Sequence, residues 1–244
     1  LWIVLLICVG VFLAPLWMPS PAGGIITVPT YLIAFSRLPA YYALGTKALS
    51  GIGTVFSTAR FIKNGLVDWK LYPAVALAID GISGSTWLQH HTPDIVLKYL
   101  LLAVLPVVAF VTLRNRSWPD QPGEMDFHVR AAIVWIASFI IGGYDGYYGP
   151  GTGTFLMLVF IRLGKMDTRH AAGGVKVINL ASNLGSLFTA LAGGYVYIGV
   201  GLISPPPAIA GITLGAGLAI EKRSRIVRPT VIVVLLLLAI KVGS

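Results

Sequence analysis

Long apolar runs separated by short polar turns make up most of this chain. They cover residues 1–18, 71–88, 95–113, 131–142, 177–192 and 229–240. A membrane crossing takes about 20 consecutive apolar residues, so these runs are spans or parts of spans, and the pattern predicts roughly six to eight helical membrane elements. Glycine and proline interrupt the pattern twice, at Pro19 to Gly24 and at Gly149 to Gly153.

Composition supports the same class. Of 244 residues, 56% are hydrophobic and 11% charged, whereas a soluble domain carries about a quarter charged residues. A soluble fold is excluded. The net charge of +9 does not mark a nucleic-acid partner, because most Lys and Arg sit in short loops between apolar runs and no basic run alternates with aromatics. Cys8 is the one cysteine, so no disulfide forms within the chain and redox chemistry is not indicated. Residues 1–18 lack a basic leading region and an A-x-A cleavage site, and are read as the first membrane element rather than a signal peptide.

The chain repeats itself. Ala22-Gly-Gly-Ile-Ile-Thr-Val-Pro-Thr-Tyr-Leu is similar to Gly151-Thr-Gly-Thr-Phe-Leu-Met-Leu-Val-Phe-Ile at an offset of about 129 residues. Ala43 and Ala171 keep that offset, as do the turns Asn64-Gly65-Leu66-Val67 and Gly193-Gly194-Tyr195-Val196. Each unit has an apolar stretch, a break, a short apolar stretch and three longer segments. The expected division is a first membrane repeat over 1–113, a cytoplasmic linker over 114–129 and a second membrane repeat over 130–244.

Loop charges choose the topology. If each broken pair dips into the membrane and returns on the same side, Arg60, Lys63, Lys70, Arg114, Arg116, Arg130, Arg162, Lys165, Arg169, Lys222, Arg223, Arg225 and Arg228 share one face. Only Arg37, Lys98 and Lys241 lie on the other. Full crossing by the first stretch removes the bias. The predicted fold is therefore all-α and integral to the membrane: two inverted repeats, each a broken re-entrant helix pair plus three transmembrane helices. Both termini then lie outside. Interrupted helices in inverted repeats are a transporter architecture, and non-helical backbone is tolerated inside a bilayer only where it is buried or lines a cavity. The two breaks are the expected site.

The second break, Gly142-Gly-Tyr-Asp-Gly-Tyr-Tyr-Gly-Pro-Gly-Thr-Gly-Thr-Phe155, joins an acid to a helix start, where free N–H groups and the positive dipole end favour an anion. Gly149, Gly151, Thr152, Gly153 and Thr154 are its expected ligands, with Gly23, Gly24 and Thr27 as the first repeat's counterparts. Close helix packing is the plainer role for these glycines. Lys47 and Lys176 each fall about two turns inside a span, where charge is expensive and marks function. Lys176 shares a polar stripe with Asn179 and Asn183 and is the leading anion ligand; for Lys47, snorkelling to the interface is the alternative. Asp145 either carries a coupling proton or pairs with Lys176. Asp80 is the other intramembrane acid, a coupling group or a cap at a kink beside Gly81.

Gly143-Tyr-Asp-Gly-Tyr-Tyr-Gly-Pro-Gly-Thr-Gly-Thr-Phe155 with Val175-Lys-Val-Ile-Asn-Leu-Ala-Ser-Asn183 resembles the sulfite exporter TauE/SafE family, especially its bacterial members. Gly23-Gly-Ile-Ile-Thr-Val-Pro29 and Ala43-Leu-Gly-Thr-Lys47 carry the likeness into the first half. The resemblance implies a secondary transporter, an exporter of sulfite, organosulfonates or related small anions, in a bacterial inner membrane, and adds Thr46 to the expected ligands. The chain departs from the family in two places. Gly45-Thr-Lys-Ala48 stands where the family often has Gly-Thr-Asn-Lys, which puts the lysine one position early and turns it about 100° around a helix. The first break, Pro19-Ser-Pro-Ala-Gly-Gly24, is stiffer and offers fewer N–H groups.

An intramembrane enzyme is a rival reading, but the chain has no Gly-x-Gly-Asp, Gly-x-Ser-x-Gly or His-Glu-x-x-His. An anion channel is the nearer alternative, since re-entrant glycine-rich loops also build filters. His90, His91, His128 and His170 lack metal-ligand spacing and are read as solvated interface residues. No metal and no cofactor are expected. The expected partners are a small anion, the lipid bilayer and protons as coupling ion.

Overall fold

The computed structural model describes residues 2–17, 24–35, 38–72, 84–114 and 119–221. Gly23, Asp80 and the basic positions Arg37, Arg116 and Lys222 onward lie outside these residues. The described residues are helical, with turns between and no strand.

In chain order the helices are α1 (Trp2–Trp17), α2 (Gly24–Ala34), α3 (Ala40–Ser50), α4 (Gly53–Lys63), α5 (84–90), α6 (Asp94–Arg114), α7 (Phe127–Tyr147), α8 (Thr152–Arg162), α9 (Thr168–Ala192), α10 (Ile198–Gly201) and α11 (Pro205–Glu221). Among the described residues three stretches are long and apolar enough to cross a membrane: Phe127–Tyr147, Thr168–Ala192 and Ile198–Gly215. Their outward faces stay apolar, with Phe139, Ile140 and Phe188 59%, 64% and 75% exposed. Lipid rather than water is the solvent for such a surface.

Local chemistry sets the helix limits. Asp126 accepts from the backbone N–H groups of His128 and Val129 to start α7. Asp167 does the same for Arg169 and His170 at α9. α3 and α4 form one nearly continuous rod, because Gly51 and Ile52 keep right-handed helical angles. The rod tightens there through three-residue hydrogen bonds, Gly51 N–H to Ala48 O and Thr54 N–H to Gly51 O, with the Ser50 hydroxyl donating to Lys47 O at 2.6 Å.

Element order repeats. Gly24 and Thr152 open the short helices α2 and α8, and Ala40 and Thr168 open the long third segments, each pair 128 residues apart. The turns that close those segments carry Gly65 at φ 67° and Gly194 at φ 72°. These conformations are ones that glycine alone adopts cheaply.

Contacts give the direction of each segment. α3 packs on α9, and so does α4. Gly45, in the first part of the α3–α4 rod, lies against the carbonyl of Tyr195 just beyond the end of α9. Gly173, early in α9, lies against the carbonyl of Leu66 just beyond α4. The α3–α4 rod and α9 therefore run antiparallel, each start touching the other's finish.

α7 and α8 form a hairpin. Arg130 Nε near the start of α7 donates to Gly164 O beyond the end of α8 at 3.0 Å, and its Nη2 donates to Gly123 O at 3.0 Å. The chain thus leaves one end and returns to it. At 21 residues α7 is about 31 Å long, so the tip of the hairpin reaches well past the middle of the bundle. Its core is one large cluster built from Val134, Leu156, Phe160, Val175 and Ile178 with Phe61 and Leu71 of the first half. The halves interlock further through Trp135 Nε1 donating to Leu71 O and Arg60 Nη1 to Thr213 O.

Candidate functional site

The hairpin tip is residues 148–151. Gly149 at φ 93° and Gly151 at φ 85° reverse the chain, and Gly151 is the N-cap of α8. Tyr144 Oη donates to Pro150 O at 2.7 Å and the Thr152 hydroxyl to Gly149 O at 2.9 Å, which fixes the loop against both helices. A side chain at Gly149 is excluded twice over. Its conformation is unsuited to one, and a Cβ there would stand 3.0 Å from Asp145 Oδ1 and 3.3 Å from Lys47 Nζ.

Lys47 and Asp145 therefore meet at the tip. Lys47 comes from the eighth position of α3 and Asp145 from the last turn of α7, and the two interact electrostatically. Ser182 on α9 donates its hydroxyl to Asp145 Oδ2. Thr152, in the first turn of α8, lies close to the same carboxylate, with its hydroxyl donating to Gly149 O. Four helices converge on one acid.

Around the pair is a cavity of about 20 Å³, lined by Lys47, Asp145, Asn183, Thr86, Gln89 and Ser186 among others. That is room for about one water molecule. Thr86 donates to Gly146 O at 3.0 Å and Gln89 Nε2 to Tyr147 O, so α5 is tied to the last turn of α7. An aromatic cover lies over His90 at the end where α3 begins. There Tyr195 packs on His90 with ring centroids 3.9 Å apart, and Tyr41 meets Tyr195 at 5.3 Å and His90 at 5.7 Å. His90 is not a solvated interface residue: both ring nitrogens are buried and find no hydrogen-bond partner. His91 is exposed and its Nδ1–H donates to Trp87 O, and His170 pairs with Asp167 at 2.7 Å. Among the described residues no group of His, Cys, Asp and Glu is arranged to hold a metal.

The other sequence-derived positions divide. Asn183 lines the cavity and packs against Gly51. Gly153 and Thr154 are buried in the first turn of α8. Thr46 is buried and accepts from the backbone N–H of Tyr197 at 2.9 Å, so its hydroxyl is engaged in joining the halves. Thr27 is half-buried on α2, and Gly24 opens that helix. Lys176 is half-buried at the ninth position of α9, away from the cavity lining, and meets no acid among the described residues. Its carbonyl accepts from the Thr58 hydroxyl at 3.1 Å. Asn179 has a buried side-chain oxygen with no partner. The ammonium that lies near Asp145 is thus that of Lys47.

Sequence reasoning missed Thr86, Gln89, Ser182 and Ser186. Ser182 and Ser186 continue the stripe of Asn179 and Asn183 at three- and four-residue spacing, a signal that was available. Gln89 carried none, being an amide at the end of a helix beside two histidines.

The model of the family described as Sulfite exporter TauE/SafE matches residues 3–242. A probable membrane transporter protein, ORF9, of Sinorhizobium sp is 32% identical over 224 residues, covering 90% of this chain and 84% of the relative. The probable membrane transporter protein YfcA of Escherichia coli strain K12 is 27% identical over 87% of this chain and 78% of its own length. A probable membrane transporter protein of Haemophilus influenzae is 27% identical over 97% and 92%. No solved structure matches. With the family's model spanning the chain from its first helix to its last residues, this protein belongs to the sulfite exporter TauE/SafE family of membrane transporters.

Proposed function

We propose that the protein is a secondary transporter of a small oxyanion, sulfite or an organosulfonate, working by alternating access about the hairpin tip. One observation carries the reading: a half-buried lysine, Lys47, reaches a polar cavity enclosed by helices of both halves. Ammonium, hydroxyl and amide groups in one place suit an anion and little else.

The antiparallel course of the α3–α4 rod and α9 supports two inverted repeats, each entering the bilayer from its own side, with the 114–129 linker cytoplasmic and both termini outside a bacterial inner membrane. In that frame Lys47 lies seven residues, about 10 Å, below the outer start of α3. Lys176 lies eight residues, about 12 Å, above the inner start of α9. The one-residue shift between the lysines gives them different tasks: Lys47 receives the anion from outside, and Lys176 with Asn179 receives it from inside. The carrier reading is favoured over a channel by the cavity, which at about 20 Å³ has no room for a file of ions. The halves rock to admit each one.

Purified protein in liposomes tests this. Exchange of labelled for unlabelled sulfite or ethanesulfonate is expected, and Lys47→Ala lowers it at least tenfold. Exchange of neither anion, or a Lys47→Ala rate equal to wild type, overturns the proposal.

A further inference from the structure

The place best suited to an anion is already taken by the chain's own carboxylate. Asp145 has what a bound oxyanion needs: the ammonium of Lys47 close by and the hydroxyl of Ser182 donating to it, beside the opening turn of α8. The cavity beside it holds about one water, at about 20 Å³. An anion that is to reach Lys47 must move Asp145 aside.

We infer that Asp145 is a built-in substitute for the transported anion and that its displacement from Lys47 takes up one proton, which makes the protein a one-to-one proton–anion symporter. The inference rests on the carrier reading above. Charge decides it. Lys47 comes from α3, Tyr144 from the same turn of α7, Tyr148 from the tip, Thr152 from α8, Ser182 and Asn183 from α9, and Thr86 and Gln89 from α5. Lys47 is the charged group among these described residues. Lys176 is six residues before Ser182, about 9 Å along α9.

Lys47 and Asp145 together are neutral. An added monoanion leaves one uncompensated negative charge inside the bundle, a heavy penalty in a medium of low dielectric. An O–H bond formed on Asp145, with a proton from the side the anion enters, removes it. The bond breaks on the other side when the anion leaves and Asp145 returns to Lys47. Ser182 serves both states, since its hydroxyl donates to the carboxylate and accepts from the acid. Empty and fully loaded forms are neutral and interconvert; the singly loaded forms are charged and do not.

Ethanesulfonate is the decisive probe, because it stays ionised and any proton moved is carried by the protein. In liposomes with the membrane potential clamped at zero, an exterior one pH unit more acid is expected to drive about tenfold accumulation. An internal pH dye should report one proton per anion. Any labelled-anion flux that Asp145→Asn retains is expected to carry no proton and to give no accumulation. Wild-type net anion uptake without proton entry overturns the symport while leaving the carrier reading intact; so does an Asp145→Asn protein that still accumulates tenfold. Where neither ethanesulfonate nor sulfite exchanges, the carrier reading itself falls.

Discussion

Lys47 of the first half and Asp145 of the second approach the same point, the missing side chain of Gly149, from different helices. Removing either partner leaves the other charge half-buried without compensation. Lys47→Ala and Asp145→Ala are each expected to lower stability, and the double variant to lose less than the two losses added. A coupling of about 0.5–3 kcal/mol is the range for groups in contact. Thermal unfolding of the four proteins in one detergent measures it; strictly additive losses would show that the two charges do not stabilise each other.

Gly149 is needed for conformation and for space, and Gly194 for conformation alone. Both have positive φ, 93° and 72°, but a Cβ on Gly194 meets nothing within 4 Å. Gly194→Ala is expected to cost about 1–3 kcal/mol of stability and to transport as wild type. Gly149→Ala pushes on Lys47 and Asp145 as well, and anion exchange is expected to drop at least tenfold. Equal transport by the two variants would contradict the placement of the tip.

Much of the fold was legible because its signals are local. Apolar length marks the spans, and Gly149 and Gly151 mark the reversal before α8. The matching turns at Gly65 and Gly194 follow from the repeat alone. The partner of Asp145 was not legible. Lys47 and Lys176 differ by one position in their helices, and one position is about 100° of azimuth; which of them faces α7 depends on how α3 and α9 cross, and periodicity carries no crossing angle. His90 misled for a related reason. It ends its helix, but the loop holding Tyr195 comes from the other half of the chain to cover it.

Gly45 is where a helix of one half touches the backbone of the other. A Cβ there would stand 2.6 Å from Tyr195 O and 3.3 Å from Ala190 Cβ. Since the obstacle is main chain, it yields only by moving the turn that carries the aromatic cover. Gly45→Ala is expected to destabilise by about 1–3 kcal/mol and to loosen the cover, seen as faster quenching of tyrosine fluorescence by acrylamide. A melting temperature and quenching rate equal to wild type would refute the close approach.

Topology is the property on which the functional reading depends most, and labelling can decide it. Asn64 and Gly123 are exposed at the end where α4 finishes and α7 begins, whereas His91 and Gly194 are exposed at the end where α5 and α9 finish. In a chain with Cys8→Ser, single cysteines at Asn64 and Gly123 are expected to react with a membrane-impermeant maleimide only from the cytoplasmic side. Cysteines at His91 and Gly194 should react only from outside. Because Asn64 and Gly194 occupy nearly corresponding turns of the two repeats, their labelling from opposite faces is what inversion requires. Labelling of both from one face would make the repeats parallel, place Lys47 and Lys176 at the same depth, and remove the physical basis for alternating access between them.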